Sequence, residues 1–424
     1  MPDRTSRASF NAVLPLMAAV FAAFLVIGLA MPVLPLHVHD GLGLGTFVVG
    51  LVAGSQFASA LLTRPWAGSF SDRRGAKRAV ATGLVIAAAA GLLYLLSLAP
   101  PDPRLAGAVL VAGRLLLGAA ESVIITGAVT WGMILAGPAS TGRVIAWVGA
   151  AMFGAFAAGT PIGAAMYAAS GFAAIGIATT VAPLATLLLI VPMRAVPPAG
   201  QERPSFVSVL GAVWLPGAGS ALSSVGFGAI TAFVTLLFAV RGWSHAWLPY
   251  TAFAAVFIVA RLLLGHLPDR RGGARVALLC LIVEALGLGL IWQADTAPLA
   301  LLGAALTGLG YSLVYPGLGV EAVSRVPAES RGLAMGAYTA FLDLALGVSG
   351  PLLGLVAGAA GLEAAFLCST VAALAAVPIA FRFLKPRSLD TKEAPHENSH
   401  RPRCGTSDDR CARSERGTEA HARA

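Results

Sequence analysis

Residues 64–78 read RPWAGSFSDRRGAKR, and residues 261–275 read RLLLGHLPDRRGGAR. Seven positions are identical at a constant separation of 197 residues: Arg64, Gly68, Asp72, Arg73, Arg74, Gly75 and Arg78 in the first copy, and Arg261, Gly265, Asp269, Arg270, Arg271, Gly272 and Arg275 in the second. Similarity at a fixed separation indicates an internal duplication. Each copy lies at the end of a long apolar run, so the chain is predicted to contain two related halves.

The composition around these copies points to a lipid environment. Hydrophobic residues make up 57% of the chain and charged residues only 12%, whereas soluble domains carry about 25% charged residues. Backbone in a bilayer must satisfy its own hydrogen bonds, so only helices and closed barrels span it. The apolar runs are continuous and about 20 residues or longer, as helices require, and they lack the alternation of barrel strands. An all-α membrane protein is therefore predicted.

Twelve spans are predicted, six in each half. They cover approximately 11–36, 46–67, 79–99, 105–135, 144–168, 172–193, 206–240, 247–267, 276–293, 298–320, 332–359 and 362–384. The predicted organisation is an N-terminal segment 1–10, a first half 11–193, a Pro-rich linker 194–205, a second half 206–384 and a tail 385–424. Pro216, with Gly217 and Gly219, predicts a break within the seventh span.

The basic residues predict the orientation. With the N-terminus inside, the loops on the inner side carry most of the arginines and lysines, and the outer loops carry only Arg104 and Arg241. By the positive-inside rule, both termini are then cytoplasmic. The tail is polar and rich in charge, so disorder is expected there.

The formal net charge of +9 would suggest nucleic acid in a soluble protein, but here the basic residues lie in short loops and control topology. The predicted partner is the lipid bilayer, and no nucleic acid is expected. The four cysteines fit neither a disulfide framework nor a zinc site. No phosphate-binding loop, zinc-protease motif or nucleophile elbow occurs. No metal, cofactor or enzymatic activity is predicted.

The pattern Gly68-x-x-x-Asp72-Arg73-x-Gly75-x-x-Arg78 resembles the signature loop of the major facilitator superfamily, and Gly265, Asp269, Arg270, Gly272 and Arg275 repeat it. Residues 114–122, 308–316 and 341–347 most resemble the YhhS/YfcJ group of uncharacterised bacterial permeases. The resemblance implies a monomeric transporter of the bacterial inner membrane that moves a small molecule by alternating access. It also implies that both loops act as gates, the alternative being that they only fix topology.

Ionisable residues inside spans are costly in lipid and usually functional. Arg114 and Glu121 lie in span four, about 10 Å apart along the helix axis, and Asp343 lies in span eleven. The resemblance places Arg114 at an arginine linked to proton transfer in antiporters, and Glu121 and Asp343 are candidate proton carriers. The alternative for all three is a structural contact with a neighbouring span. Glu284 in span nine is expected to be structural.

Polar aromatic residues suit an amphipathic ligand. Candidate cavity residues are Gln56, Trp131, Tyr311, Tyr315 and Tyr338, with a membrane-interface position as the alternative for Trp131. Residues 159–163, GTPIG, depart from the Gly-Pro-x-x-Gly-Gly pattern of antiporters. The resemblance implies proton-coupled efflux of a sugar-like or drug-like compound. The departure at residues 159–163 favours the alternative of proton-coupled nutrient import, and a sensor that does not transport is a further alternative.

Overall fold

The computed structural model describes residues 4–136, 141–196, 207–327 and 331–384. Most of the predicted linker and the whole predicted tail, with Cys404 and Cys411, lie outside these residues. Within them the chain is helical, with no β-strand.

Twelve helical segments follow one another in the described chain. In the first half, α1 is Arg4–Ala30, continued after a turn by Leu34–Leu36 and a π-helical turn His37–Gly41; α2 is Thr46–Arg74, α3 Ala76–Leu96, α4 Pro103–Ala136, α5 141–170 and α6 172–190. In the second half, α7 is Val207–Ala229, continued by a π-helical turn Ile230–Val234 and by Thr235–Val240; α8 is Leu248–Leu264, α9 Gly273–Trp292, α10 Ala297–Val323, α11 Arg331–Ala360 and α12 Leu362–Arg382. A five-residue helix, Leu267–Arg271, connects α8 to α9.

These segments confirm the all-α membrane fold. Ten helical stretches of the described chain are long and apolar enough to cross a membrane, and α8 is a shorter apolar helix. One of the ten contains both α5 and α6, which meet at Gly171, where a φ of 69° breaks the helix. Large apolar side chains such as Leu62, Leu188 and Leu262 are 70–78% exposed, as expected for a surface in contact with lipid.

Three local expectations differ from the structure. Residues 4–10, predicted as a separate polar segment, belong to α1. The predicted break at Pro216 is wrong: α7 is regular from Val207 to Ala229, and its irregularity is the π-helical turn that comes after it. Gly68, Asp72 and Arg73 lie within α2 rather than in a loop, because α2 extends to Arg74.

The backbone confirms the internal duplication. Gly75 ends α2 with φ 90° and ψ 145°, and Gly272, 197 residues later, has φ 89° and ψ 133°. A side chain is strained at such positive φ values, so glycine suits both turns. The packing also repeats: α3 contacts α4 and α6 as α9 contacts α10 and α12.

The two halves meet chiefly where α2 packs against α11, with a second contact between the 141–190 segment and α8. The α2–α11 seam consists of small residues on both helices: Thr46, Gly50, Gly54 and Ala58 on α2, and Gly347, Gly350, Gly354 and Gly358 on α11. Small residues let two helix backbones approach closely inside a membrane. The glycines of α11 therefore pack against α2 of the first half.

Candidate functional site

An ion pair joins the two halves at the end of the seam. Arg64 of α2 donates from Nη2 to Oδ2 of Asp343 in α11. The Asp343 side chain is 6% exposed and that of Arg64 is 30% exposed. Arg64 Nε has no hydrogen-bond partner within the described residues, so the guanidinium holds the carboxylate through one of its edges only. Asp343 thus bonds a specific cation of the other half.

A second carboxylate lies in the first half. Gln56 of α2 donates from Nε2 to Oε2 of Glu121 in α4 at 2.7 Å. Gln56 is fully buried, and its Oε1 has no partner in the part of the chain that the structure describes. Asp343 and Arg64 lie within electrostatic range of Glu121. The two predicted acids therefore belong to one polar region between the halves.

Arg114 of α4 makes its contacts within the first half. Its Nε donates to the Val52 carbonyl at 3.1 Å and its Nη2 to the Ala53 carbonyl at 3.4 Å, while Nη1 lies 3.5 Å from the Tyr94 hydroxyl. The residue is 1% exposed. Because its guanidinium is occupied by neutral oxygens of α2 and α3, Arg114 fastens α4 to its neighbours within the first half.

The second half contributes an aromatic surface to the region. Phe227 of α7 stacks on Tyr311 of α10, with ring centroids 5.3 Å apart and planes 5° apart. The Phe57 ring of α2 lies 6.4 Å from Phe227, so the surface reaches the first half. A 3.2 Å hydrogen bond joins the hydroxyl of Tyr311 to that of Ser224 on α7.

Tyr315 and Tyr338 continue this surface. Their ring centroids are 4.9 Å apart. The Tyr338 hydroxyl donates to the Tyr315 carbonyl at 2.8 Å, and the Tyr315 hydroxyl lies 2.6 Å from that of Thr339. These bonds link α10 to α11 and leave Tyr315 partly exposed. Tyr311, Tyr315 and Tyr338 thus lie near one another on α10 and α11.

Arg261 of α8 lies beside these tyrosines. Its guanidinium carbon is 5.7 Å from the Phe257 ring centroid, and its Nη1 donates to the Ser312 carbonyl at 3.4 Å. Tyr311, Tyr315 and Tyr338 are within electrostatic range of it. Arg261 is partly exposed, and its charge lies among aromatic groups.

Trp131 lies apart from the region, whereas Glu284 lies within electrostatic range of Tyr311. Trp131 is ten residues beyond Glu121 on α4, about 15 Å along the axis; it is fully buried and donates to the Arg194 carbonyl at 3.3 Å. Glu284 of α9 is also fully buried and accepts from Ser223 of α7 at 2.5 Å. The Glu284 contact is internal to the second half, and Trp131 connects α4 to the first residue of the predicted linker.

The two predicted gating loops differ in their surroundings. Gly68 and Gly75 are buried and Asp72 is half-buried, whereas Arg73 and Arg78 are exposed. In the second copy, the residues of the motif are all exposed: Gly265, Asp269, Arg270, Gly272 and Arg275. Lys77 anchors the first loop by donating at 2.6 Å to the carbonyls of both Val191 and Met193, beyond the end of α6.

Arg64 and Arg261 were not among the predicted site residues. Both open their copy of the duplicated motif, and both lie inside an apolar run. The same cost of burying charge in lipid that singled out Arg114 therefore applied to them. Because both arginines belong to the duplicated motif, they were grouped with the loops and not with the charged residues inside the spans.

Comparison with known proteins agrees with this architecture. Residues 16–277 and 246–408 match the family model described as Major Facilitator Superfamily. An uncharacterised MFS-type transporter of Salmonella typhimurium is 42% identical over 386 residues, which cover 91% of this chain and 100% of the relative.

Solved structures share the fold at low identity. A D-xylose-proton symporter has a TM-score of 0.71 at 15% identity, over 88% of this chain and 98% of the other. The human organic anion transporter has a TM-score of 0.66 at 16% identity, over 88% of this chain and 99% of the other. With its duplicated motif, twelve helices, family match and full-length relative, the chain belongs to the major facilitator superfamily of multi-pass membrane transporters.

Proposed function

We propose that the protein exports a sugar-like or drug-like small molecule across the bacterial inner membrane by alternating access, in exchange for protons. The observation that carries this proposal is the ion pair between Arg64 and Asp343, which connects the two halves beside a second carboxylate, Glu121. In transporters built from two repeats, the substrate binds between the halves and the halves rock around it. A titratable contact between the halves can couple that motion to a proton.

Asp343 would couple proton binding to the contact between α2 and α11. The ionised carboxylate accepts a charge-assisted hydrogen bond from Arg64, and such bonds are stronger than neutral ones. Protonation removes the negative charge and weakens this link between the halves. The proton would therefore favour separation of the two helices at this level, which is the change that alternating access requires.

Glu121 would carry a proton on the first half. As a carboxylate it accepts from the Gln56 amide; once protonated it becomes a donor, and the amide oxygen can accept from it after a rotation. Gln56 thus has a partner for either charge state of Glu121. Arg114 would influence Glu121 through its charge and hold α4 in place.

The duplicated motifs would act as gates on the cytoplasmic side, in a monomer with both termini in the cytoplasm. Asp72 and Arg73 lie in the last turn of α2, so a shift of α2 against α11 moves them directly. Asp269 and Arg270 lie in the short helix after α8 and would respond to α8 in the same way. We also propose membership of the YhhS/YfcJ group of permeases.

The test uses everted membrane vesicles with an imposed proton gradient. A panel of sugars, drugs and metabolites is added while a pH-sensitive dye reports proton movement. We expect compound-specific proton release with the wild type and none with Glu121→Gln or Asp343→Asn at equal expression. Glu284→Gln is the matched control, since it neutralises a buried carboxyl away from the interface, and it should retain the response. Proton release by both interface variants would remove the coupling assignment.

Import of a nutrient together with protons is the second candidate. It is favoured by the departure of residues 159–164 from the antiporter pattern, with Thr160 inserted before Pro161 and Ala164 in place of the final glycine. Gly159 and Gly163 pack against Gly28 and Leu29 of α1, so their role is accounted for by close helix packing. Accumulation of the compound by intact cells, in place of its extrusion, would decide for import.

A further inference from the structure

A small cavity lies between the two halves. Its volume is about 10 Å³, roughly the space that one water molecule requires. The lining side chains come from the segment after α1, from α2, from α4 and from the π-helical turn after α7: Met31, Leu34, Pro35, Val49, Ala53, Phe57, Arg114 and Thr231. The two polar members of this lining, Arg114 and Thr231, belong to opposite halves.

Arg114 brings to this cavity a positive charge that no ion pair offsets. The residue is 1% exposed, and it donates to neutral oxygens of Val52, Ala53 and Tyr94 at 3.1–3.5 Å. No acidic residue that the structure describes forms an ion pair with it. Burying a charge without an opposite charge is costly. The cavity is therefore a place where a negative charge would be stabilised.

The duplication indicates that the helix frame does not need this arginine. A β-carbon on Gly118 of α4 would collide with the main chain of α2, and one on Gly308 of α10 would collide with the main chain of α8. The fourth helix of each half thus packs on the second in the same way, and the two glycines are 190 residues apart. At that separation Arg114 corresponds to Ala304, which is fully buried. The second half therefore achieves the same packing without a charge.

We propose that the cavity binds a monatomic anion, with chloride as the physiological ion, between Arg114 of the first half and Thr231 of the second. A guanidinium has five N–H groups, and Arg114 donates three hydrogen bonds, which leaves donors for the ion. The Thr231 hydroxyl donates to the Gly228 carbonyl at 3.0 Å and can rotate toward the ion.

The lining favours a small anion over water and over larger anions. A buried water molecule needs two to four polar partners, whereas six of the eight lining residues are apolar. An ion gains from the charge of Arg114, and this attraction is stronger among apolar walls than in water. Polyatomic anions such as sulfate exceed the volume of the cavity.

The bound ion would connect the two halves at this level. Arg114 and Thr231 move apart when the halves separate, so the ion is held only while they are together. A second contact between the halves lies at the wall of the cavity, where the Tyr250 hydroxyl of α8 donates to Met31 Sδ at 3.1 Å. Binding of the anion thus stabilises the arrangement described here. The inference goes beyond the transport function proposed above and does not depend on it.

Glu121 influences the affinity for the anion. It lies seven residues after Arg114 on α4 and within electrostatic range of it. Gln56, Arg64 and Asp343 face Glu121 from α2 and α11. A negative charge on Glu121 opposes the binding of an anion at Arg114. Removal of that charge by substitution should therefore tighten binding.

The test follows the unfolding midpoint of the purified full-length protein in detergent while sodium chloride replaces sodium gluconate at constant ionic strength. Gluconate is too large for a cavity of about 10 Å³, so it serves as the reference anion. We expect the midpoint to rise with chloride concentration, because a ligand of the native state stabilises it. Bromide should give a similar rise.

Arg114→Gln should weaken chloride binding by about tenfold or more, because a charged hydrogen bond is lost. Thr231→Val keeps the shape of the side chain and should weaken binding by about threefold or more. Glu121→Gln should tighten it by about threefold or more. The control is Arg104→Gln, which removes the same charge at an exposed position near the start of α4 and should leave binding unchanged. The midpoint in gluconate reports the stability of each variant separately.

Equal midpoints in chloride and gluconate would overturn the inference and assign the cavity to water. An undiminished chloride response of Arg114→Gln, or an equal loss in Arg104→Gln, would also overturn it. If Arg114→Gln does not fold, an undiminished response of Thr231→Val decides in the same sense. The readout needs no gradient, so failure here would leave the result of the vesicle experiment untouched. A chloride response without proton release would support the anion site and contradict the proposed coupling.

Discussion

Gly50 of α2 and Gly350 of α11 touch through their main chains: the carbonyl oxygen of each occupies the space that a β-carbon on the other would need. The residues come from opposite halves and are 300 positions apart in the chain. The contact continues on both sides, at Gly54 against Gly347 and at Thr46 against Gly354. The two halves are thus joined by backbone contacts along the α2–α11 seam, and the ion pair of Arg64 and Asp343 lies beyond one end of that seam.

Gly350→Val should force α2 and α11 apart, because its side chain has no space beside Gly50. Overpacking of this kind costs about 1–3 kcal/mol. A disulfide between Thr46→Cys and Gly358→Cys, in a background without other cysteines, reports the separation, because a β-carbon on Gly358 lies 3.1 Å from Thr46 Oγ1. We expect efficient cross-linking in the parent and weak cross-linking after Gly350→Val.

The control for this substitution is Gly336→Val on the same helix. No atom of the residues that the structure describes lies within 4 Å of a β-carbon on Gly336, so this variant introduces the same β-branched residue without a clash among them. Cross-linking should remain at the parent level. Full cross-linking with Gly350→Val would mean that the seam yields easily, contrary to the close contact described above.

The ion pair of Arg64 and Asp343 should show energetic coupling in a double-mutant cycle. Arg64→Gln and Asp343→Asn each leave one charge without its partner, whereas the double variant removes both charges. We expect a coupling free energy of about 1–2 kcal/mol, toward the lower end for such pairs because Arg64 is 30% exposed. Thermal unfolding in detergent measures it. Strictly additive effects would show that the pair does not hold the halves together.

Arg114 should behave as a structural residue. Arg114→Met removes the hydrogen bonds from the guanidinium to the Val52 and Ala53 carbonyls, although the Val52 carbonyl still accepts from the Ser55 hydroxyl. We expect a loss of about 1–3 kcal/mol of stability in total. Arg114→Lys should recover only part of this stability, because an ammonium lacks the planar fork. Leu115→Ala, at the neighbouring position that is 42% exposed, is the control. The measurement is the unfolding midpoint; unchanged stability with lost proton movement would assign Arg114 to coupling instead.

Lys77 should fix the end of α6. Lys77→Ala removes two hydrogen bonds to the carbonyls of Val191 and Met193. We expect a local loss of about 1 kcal/mol, seen as roughly fivefold faster hydrogen exchange at the end of α6. Arg74→Ala, at an exposed position, should leave exchange there unchanged. Equal exchange in both variants would show that Lys77 is not the anchor.

The spans and the duplication could be read from the sequence because both are local or periodic features. The apolar runs and the constant separation of Asp72 and Asp269 needed no knowledge of contacts. The break at Pro216 was wrong because a proline within a membrane helix can be accommodated by its neighbours. The π-helical turn at 230–234, further along the same span, has no such mark in its residues.

The partners within the site could not be read in this way. Hydropathy gives the position of a span and not its rotation, so the contact of Asp343 with Arg64, 279 residues away, was hidden. Gln56 and Glu121 were both predicted, but as a cavity residue and a proton carrier. Their hydrogen bond depends on how α2 and α4 pack together, which the sequence does not specify.

Gly118 lies against the main chain of Gln56, and Gly308 lies against the main chain of Phe253. The two halves therefore share one arrangement of their second and fourth helices. Each of these positions has an equivalent in the other half, 190 or 197 residues away, with a similar backbone environment. Exchanging Gln56 with Phe253 and Glu121 with Tyr311 would transpose the acidic and aromatic chemistries while keeping the helix frame. Because of the duplication, the residues of each pair could be moved to the equivalent positions of the other half.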